Sequence, residues 1–249
     1  MTSEFLNMTG QEVGLRRNET IFLPVGSVEQ HGPHLPTETD TLIAKSFAKT
    51  LAERTNGLQA PEFNYGYRSQ VASGGGELFP GTVSLSGNTV TCLIRDIILA
   101  FGAHGHLNIV LVNGHFENTY FCIEGMNEAL SRQPNLQLFL FNWWELLTTN
   151  QLESIFGLDF PGWEAEHAGV VETSLVMHLA PAKVKTDLLE DRVSSLPIPR
   201  FTRLPEPTGQ VDSSGVLRTA WGSSAKLGED IFESSIGEMQ RVILSALGN

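Results

Sequence analysis

Two short apolar runs, each ended by a turn that carries histidine and carboxylate, constrain this chain more than any other feature. The first, Ile21-Phe22-Leu23-Pro24-Val25, stops at Gly26 and is followed by Glu29-Gln30-His31 and then Asp40. The second, Ile109-Val110-Leu111-Val112, stops at Asn113-Gly114 and leads into His115-Phe116-Glu117-Asn118. Apolar runs this short, bounded by turn residues, read as buried strands. Strand ends that carry polar side chains are how a parallel sheet feeds a site along one edge. Pro24 counts against an interior place for the first run, because proline cannot donate to a ladder.

The remaining pattern alternates. Residues 40–54 place Leu42, Ala44, Phe47, Ala48 and Leu51 on one helical face. From Asn88, the residues Val90, Leu93, Ile94, Ile97, Ile98 and Phe101 recur at helical spacing until the glycines at 102 and 105. A further helix runs through Phe121, Ile123, Met126, Ala129 and Leu130 and is closed by Pro134. Residues 136–141 form a strand that leads into Trp143-Trp144, and residues 166–179 and 229–247 are helical. Strands alternating with helices give an α/β class, a mainly parallel sheet with helices on both faces. At 249 residues, with no repeat and no linker, the expectation is one domain over 1–249. Residues 181–224 hold much of the proline and serine. They read as extended loop over the domain, or as a segment packed on another subunit.

A net charge of -12 excludes the clustered basic surface that nucleic acid and anionic membrane reward. No apolar run reaches the eighteen or so residues of a membrane span. No secretory signal opens the sequence, so Asn7-Met8-Thr9 and Asn18-Glu19-Thr20 carry no meaning as glycosylation sites, and a cytoplasmic protein is expected. Cys92 and Cys122 lie in helical segments and read as buried free thiols.

Glu29 and His31 reach one site if they share a strand face, or if a turn aims them. Taken alone, Asp40 is a helix cap with Thr39 as its rival; beside Glu29 and His31 it is a ligand. His115 and Glu117 repeat the pattern in reverse order. Two histidines and three carboxylates suit two transition-metal ions that share a carboxylate. His167 beside Trp163 suits a general acid or base, or simply opens a helix. Glu172 is read as supporting or packing. Gly74-Gly75-Gly76 lack the ending of a phosphate loop and read as backbone brought close to a small ligand. His34 is placed behind the site, His104 and His106 at a helix end and the surface, and His178 in a core or interface.

The motifs Gly26-Ser27-Val28-Glu29-Gln30-His31-Gly32, Phe79-Pro80-Gly81-Thr82, Asn113-Gly114-His115 and His167-Ala168-Gly169 with Glu172-Thr173-Ser174 together resemble the creatininase (creatinine amidohydrolase) family. The resemblance runs from about residue 24 to 181 and more weakly beyond. Tyr65-Gly66-Tyr67-Arg68-Ser69-Gln70, the triple glycine, Glu117-Asn118 and Gly162-Trp163 are similar to creatininase proper. The resemblance implies a three-layer α/β/α fold, two divalent ions (zinc, manganese or both), and a homohexamer. It implies Glu29 and His115 on one ion, His31 and Glu117 on the other, and Asp40 bridging. Ser73, Phe116, Trp163, His167 and either Trp143 or Trp144 fall at substrate positions, and His167 and Glu117 at catalytic ones. Phe116 stands where creatininase proper has tyrosine. The expected reaction is reversible hydrolysis of creatinine to creatine. The alternatives are another C–N hydrolysis of the family (a formamide-type deformylase or a peptidase), a non-catalytic binding or assembly protein, and a flavoprotein.

Overall fold

The computed structural model describes residues 3–74, 76–158, 160, 162–189, 191, 204 and 213–248. In chain order its elements are α1 (Gly10–Leu15), β1 (Ile21–Val25), α2 (Thr39–Thr55), β2 (Leu58–Gln59), α3 (Val71–Gly74) and α4 (Gly87–Ala103). There follow β3 (Asn108–Asn113), α5 (Thr119–Arg132), β4 (Gln137–Asn142), α6 (Thr149–Phe156), α7 (Val170–Leu179) and α8 (Ala225–Leu247). The sheet order is β2-β1-β3-β4, with every pairing parallel.

Alternation along the strands builds three layers. Phe22, Val110, Val112 and Phe141 point to one face, where they pack with Phe47, Leu51, Leu175, Ile236 and others from α2, α7 and α8. Ile21, Leu23, Val25, Ile109 and Leu111 point to the other, against Ile94, Ile98, Cys122 and Ala129 of α4 and α5. The fold is the expected three-layer α/β/α. Both cysteines are free, but Cys92 is half-buried rather than buried; burial pushes the Cys122 thiol up to about 12. No described helix is long and apolar enough to cross a membrane.

Pro24 sits in an interior strand after all. The carbonyls of Phe22 and Pro24 accept from Ala60 and Phe63, so even-numbered residues of β1 face the β2 side. β2 has ended by that level, and the missing N–H leaves no ladder bond open. The chain passes from β1 outward to β2 and then back across to β3. The crevice beyond the carboxyl ends of β1 and β3 is therefore a topological switch point.

Two helices begin elsewhere than expected. The helix read from residue 166 starts at Val170, because Ala168 takes a left-handed conformation (φ 53°) and breaks the run. The helix read from residue 229 starts at Ala225, where the Ser224 side chain accepts from the Leu227 amide. His106 is a correction: it is buried, not at the surface, and its Nδ1 lies 3.2 Å from the Glu19 carbonyl oxygen. Within 181–224, much of the segment read as loop lies outside the described residues. Its described end brings Val216 and Leu217 into buried positions beside the crevice.

Candidate metal centre

The start of α2 lies against the ends of β1 and β3. A Cβ at Gly26 would meet Thr41 Oγ1 at 2.2 Å, and one at Gly114 would meet the Asp40 carbonyl oxygen at 2.2 Å. Glycine at both places lets Asp40 approach the turns that carry Glu29, His31 and His115. The helix-capping alternative falls away. Glu38 occupies the cap position, and Thr39 Oγ1 donates to the Pro36 carbonyl.

Asp40 faces two histidines with its two oxygens. Oδ1 lies 3.0 Å from His31 Nε2, and Oδ2 lies 3.0 Å from His115 Nδ1. Glu29 Oε2 is 3.2 Å from His115 Nδ1, and Glu172 Oε1 is 3.7 Å from His31 Nε2. Two sets of donor atoms close enough to share an ion result: Glu29, Asp40 and His115, and His31, Asp40 and Glu172. A third set joins Glu29 and His31 to His167. Glu117 was expected beside His31, but its carboxylate stands at the His115 end, 3.4 Å from His115 Nε2. There it accepts from Ser73 Oγ and, at 3.3 Å, from the Gln70 amide.

The surroundings orient the ligand atoms. His31 Nδ1 is 3.1 Å from the Glu29 carbonyl oxygen, which leaves Nε2 toward Asp40. His115 Nε2 is 2.8 Å from the Tyr67 carbonyl oxygen, which leaves Nδ1 toward Asp40. Such backbone partners fix the tautomer of a metal-binding imidazole. Ser69 Oγ donates to Glu29, and Asn113 Oδ1 accepts from the His115 amide at 3.1 Å.

The donor set fits divalent cations. His31 Nε2 and Asp40 Oδ2 are buried, and among the described residues neither makes a well-aligned hydrogen bond in spite of these close approaches. Among the described residues the crevice is lined by Glu29, Asp40, Glu117, Glu166 and Glu172 and by no lysine or arginine. Buried carboxylates without a counter-charge are costly. In the metal-free chain the imidazoles supply it. Burial pushes His31 down, but Asp40 and Glu172 outweigh it and hold it well above the ordinary range. His115 is raised the same way by Glu29 and Asp40. Burial raises Glu166 well above the carboxylate range, with Glu172 adding to the shift. His34 sits behind the centre, its Nε2 2.9 Å from Thr173 Oγ1, and burial lowers it to about 4.

Above these groups lies a cleft that opens to solvent. Ser73, Phe116, Trp143, Trp144, Trp163 and His167 all line it, so both tryptophans of the pair contribute. Trp143 stacks into the core beside Phe47, whereas Trp144 faces Phe116 with ring centroids 5.9 Å apart. Sequence reasoning passed over Glu166 and gave Glu172 only a supporting or packing role. Glu172 is the third residue of α7, a position that favours glutamate reaching back past the helix start, and its Oε2 accepts from the Ala168 amide at 2.7 Å.

The model of the creatininase family, described as creatinine amidohydrolase, matches residues 6–243. A creatinine amidohydrolase of Pseudomonas putida is 37% identical over 86% of this chain and 84% of its own length. A mycofactocin precursor peptide peptidase of Mycobacterium tuberculosis is 30% identical over 89% of this chain and 83% of its own. Among solved structures, a mutant creatininase of zinc–zinc type superposes with a TM-score of 0.94 at 32% identity, covering 99% of this chain and 98% of that one. A manganese creatininase gives the same TM-score, 0.94. This chain belongs to the creatininase family.

Proposed function

We propose that the protein hydrolyses a cyclic amide, creatinine, to creatine, reversibly, with two divalent ions per chain. The observation that carries this reading is Asp40, which turns one carboxylate oxygen to each of two buried histidines under an aromatic-walled cleft. Glu29, Asp40 and His115 would hold one ion, with Glu117 at that end. His31, Asp40 and Glu172 would hold the other. Mixed imidazole and carboxylate donors accept zinc and manganese, the metals named for related creatininases. Such ions, when bound, lower the pKa of water and draw charge from an amide carbonyl.

The chain's own residues do the rest. Trp144 and Trp163 enclose the flat ring, by stacking and by attraction of its cationic character to the indole faces. Ser73, hydrogen-bonded to Glu117, orients the substrate at the glycine loop. As the water oxygen bonds to the carbonyl carbon, His167 takes the water's proton. As the C–N bond breaks, His167 passes that proton to the departing ring nitrogen. The same family resemblance supports a homohexamer.

A second reading, another C–N bond of the same family, is favoured by Phe116. Its ring is 42% exposed at the cleft and has no hydroxyl to offer a polar substrate. Creatine formation from creatinine by purified protein, with added zinc or manganese and a chelated control, decides between them. Metal-dependent turnover is expected. Two bound ions without turnover, unrelieved by Phe116→Tyr, would move the substrate to another amide.

A further inference from the structure

Gln30 stands between two proposed ligands, is 6% exposed, and has no part in the reaction as written above. Its side-chain nitrogen lies 2.8 Å from the Gly74 carbonyl oxygen, 3.0 Å from the Gly215 carbonyl oxygen and 3.1 Å from His167 Nε2. A carboxamide nitrogen has two hydrogens and accepts none. Both hydrogens go to the two carbonyls, which can only accept. The amide oxygen accepts from the Gly32 amide at 2.9 Å, which settles which end of the side chain is nitrogen. The third contact, to His167, is therefore no hydrogen bond. His167 Nε2 also lies 2.8 Å from the main-chain carbonyl oxygen of Gln30. A carbonyl cannot donate, so the hydrogen in that contact sits on His167 Nε2.

We infer that Gln30 is a positioning residue. It clamps the glycine loop and the 213–217 segment around His167 and holds that imidazole as its Nε2–H tautomer, so that Nδ1 is the ring atom that exchanges the proton. The inference rests on the proposed role of His167 as proton carrier. Both contacts of the ring with Gln30 are made by Nε2, which leaves Nδ1 for the proton. It takes the proton from water while Nε2 keeps its own against the Gln30 carbonyl. It then yields that proton to the departing nitrogen, and the imidazole ends neutral. The clamp also explains two glycines far apart in the chain. A Cβ at Gly215, where φ is +75°, would meet the Gln30 amide at 2.2 Å. One at Gly74 would meet Glu29 Oε1 at 2.4 Å and His167 Cε1 at 3.3 Å.

The test is a long-range proton–nitrogen spectrum of the zinc-loaded, nitrogen-15-histidine protein at neutral pH, with His167→Gln identifying the signals. Protonated Nε2 and bare Nδ1 are expected. A protonated Nδ1, or averaging between tautomers, overturns the inference. No substrate is present, so a failed creatinine assay leaves this result untouched. Gln30→Met and Gly215→Ala are expected to keep their metal, to lose about 10²-fold in kcat with a smaller change in KM, and to average the two tautomers. Full kcat with an unchanged spectrum in Gln30→Met overturns the clamp. So does loss of metal in proportion to activity, which would make Gln30 a prop for Glu29 and His31. Should Gln30→Met not fold, the spectrum of the unmodified protein still decides the tautomer.

Discussion

Strand β3 carries a buried histidine at each end, and the two have opposite chemistry. His106, two residues before the strand, is 1% exposed; His115, two residues after it, is 3% exposed. His106 meets a backbone carbonyl and, edge-on, the ring of Phe101. Burial holds its pKa below the ordinary value. His115 meets Glu29, Asp40 and Glu117, and its pKa is raised in spite of its burial. Burial alone therefore does not mark a functional histidine. The carboxylates around it do, and among the described residues they gather about histidine at the carboxyl edge of the sheet.

The largest break in this contrast is expected from Asp40→Asn. If Asp40 serves both ions, metal analysis after gel filtration finds neither retained and turnover falls to background. Two tight ions per chain in that variant would refute the bridge. Next comes His167→Ala, expected to cut kcat by about 10²–10⁴ with metal content unchanged. Metal and activity falling together would make His167 structural. Glu172→Gln is expected to weaken one ion by about tenfold or more, and to do so more than any change at His34. If Glu117→Gln alone loses an ion while Glu172→Gln keeps both, His31 is served from the His115 end.

Much of this was legible in the sequence, for identifiable reasons. Glu29, His31, His115 and Glu117 stood out because each pair follows an apolar run into a turn, and the strand ends place them together. Asp40 was legible only through its neighbours, since a lone aspartate at a helix start reads as a cap. Glu172 was read as supporting or packing because the helix was read from residue 166, which placed it a turn and a half inside. The left-handed Ala168 moves the helix start and swings Glu172 to His31. No periodicity signals a positive φ at alanine. Pro24 weighed against a strand that does form: whether a strand can hold proline depends on where its neighbour ends, a tertiary fact. Gln30 escaped notice because its partners, Gly74 and Gly215, are loop backbone distant in sequence.

The raised histidines sharpen the comparison through pH. A group raised in the folded state contributes stability below its unfolded pKa, about 6.5 for histidine, and loses it as pH rises through the folded value. For His31 and His115 that loss is confined to the metal-free protein, because ions displace the same protons. The gain in Tm on adding zinc is therefore expected to grow as pH rises from about 6 to 8. A gain that is constant over that range would mean that no proton leaves these imidazoles on binding.

The smallest expected effect is at the other end of the strand. His106 is lowered in the folded state, chiefly by burial, with the Glu19 carbonyl only partly offsetting it. Below about pH 6.5 the unfolded chain takes up a proton that the folded chain refuses, so this group's stability is present above that pH and lost as pH falls. His106→Asn removes the linkage and leaves the carboxyl edge alone. Metal content and turnover are expected to match the unmodified protein. Its decline in Tm from about pH 7 to 5 is expected to be shallower. The site carboxylates contribute equally to both proteins and cancel in the difference. A gap between the two that does not change with pH would reduce His106 to packing, and would remove proton uptake from what separates the two ends of β3.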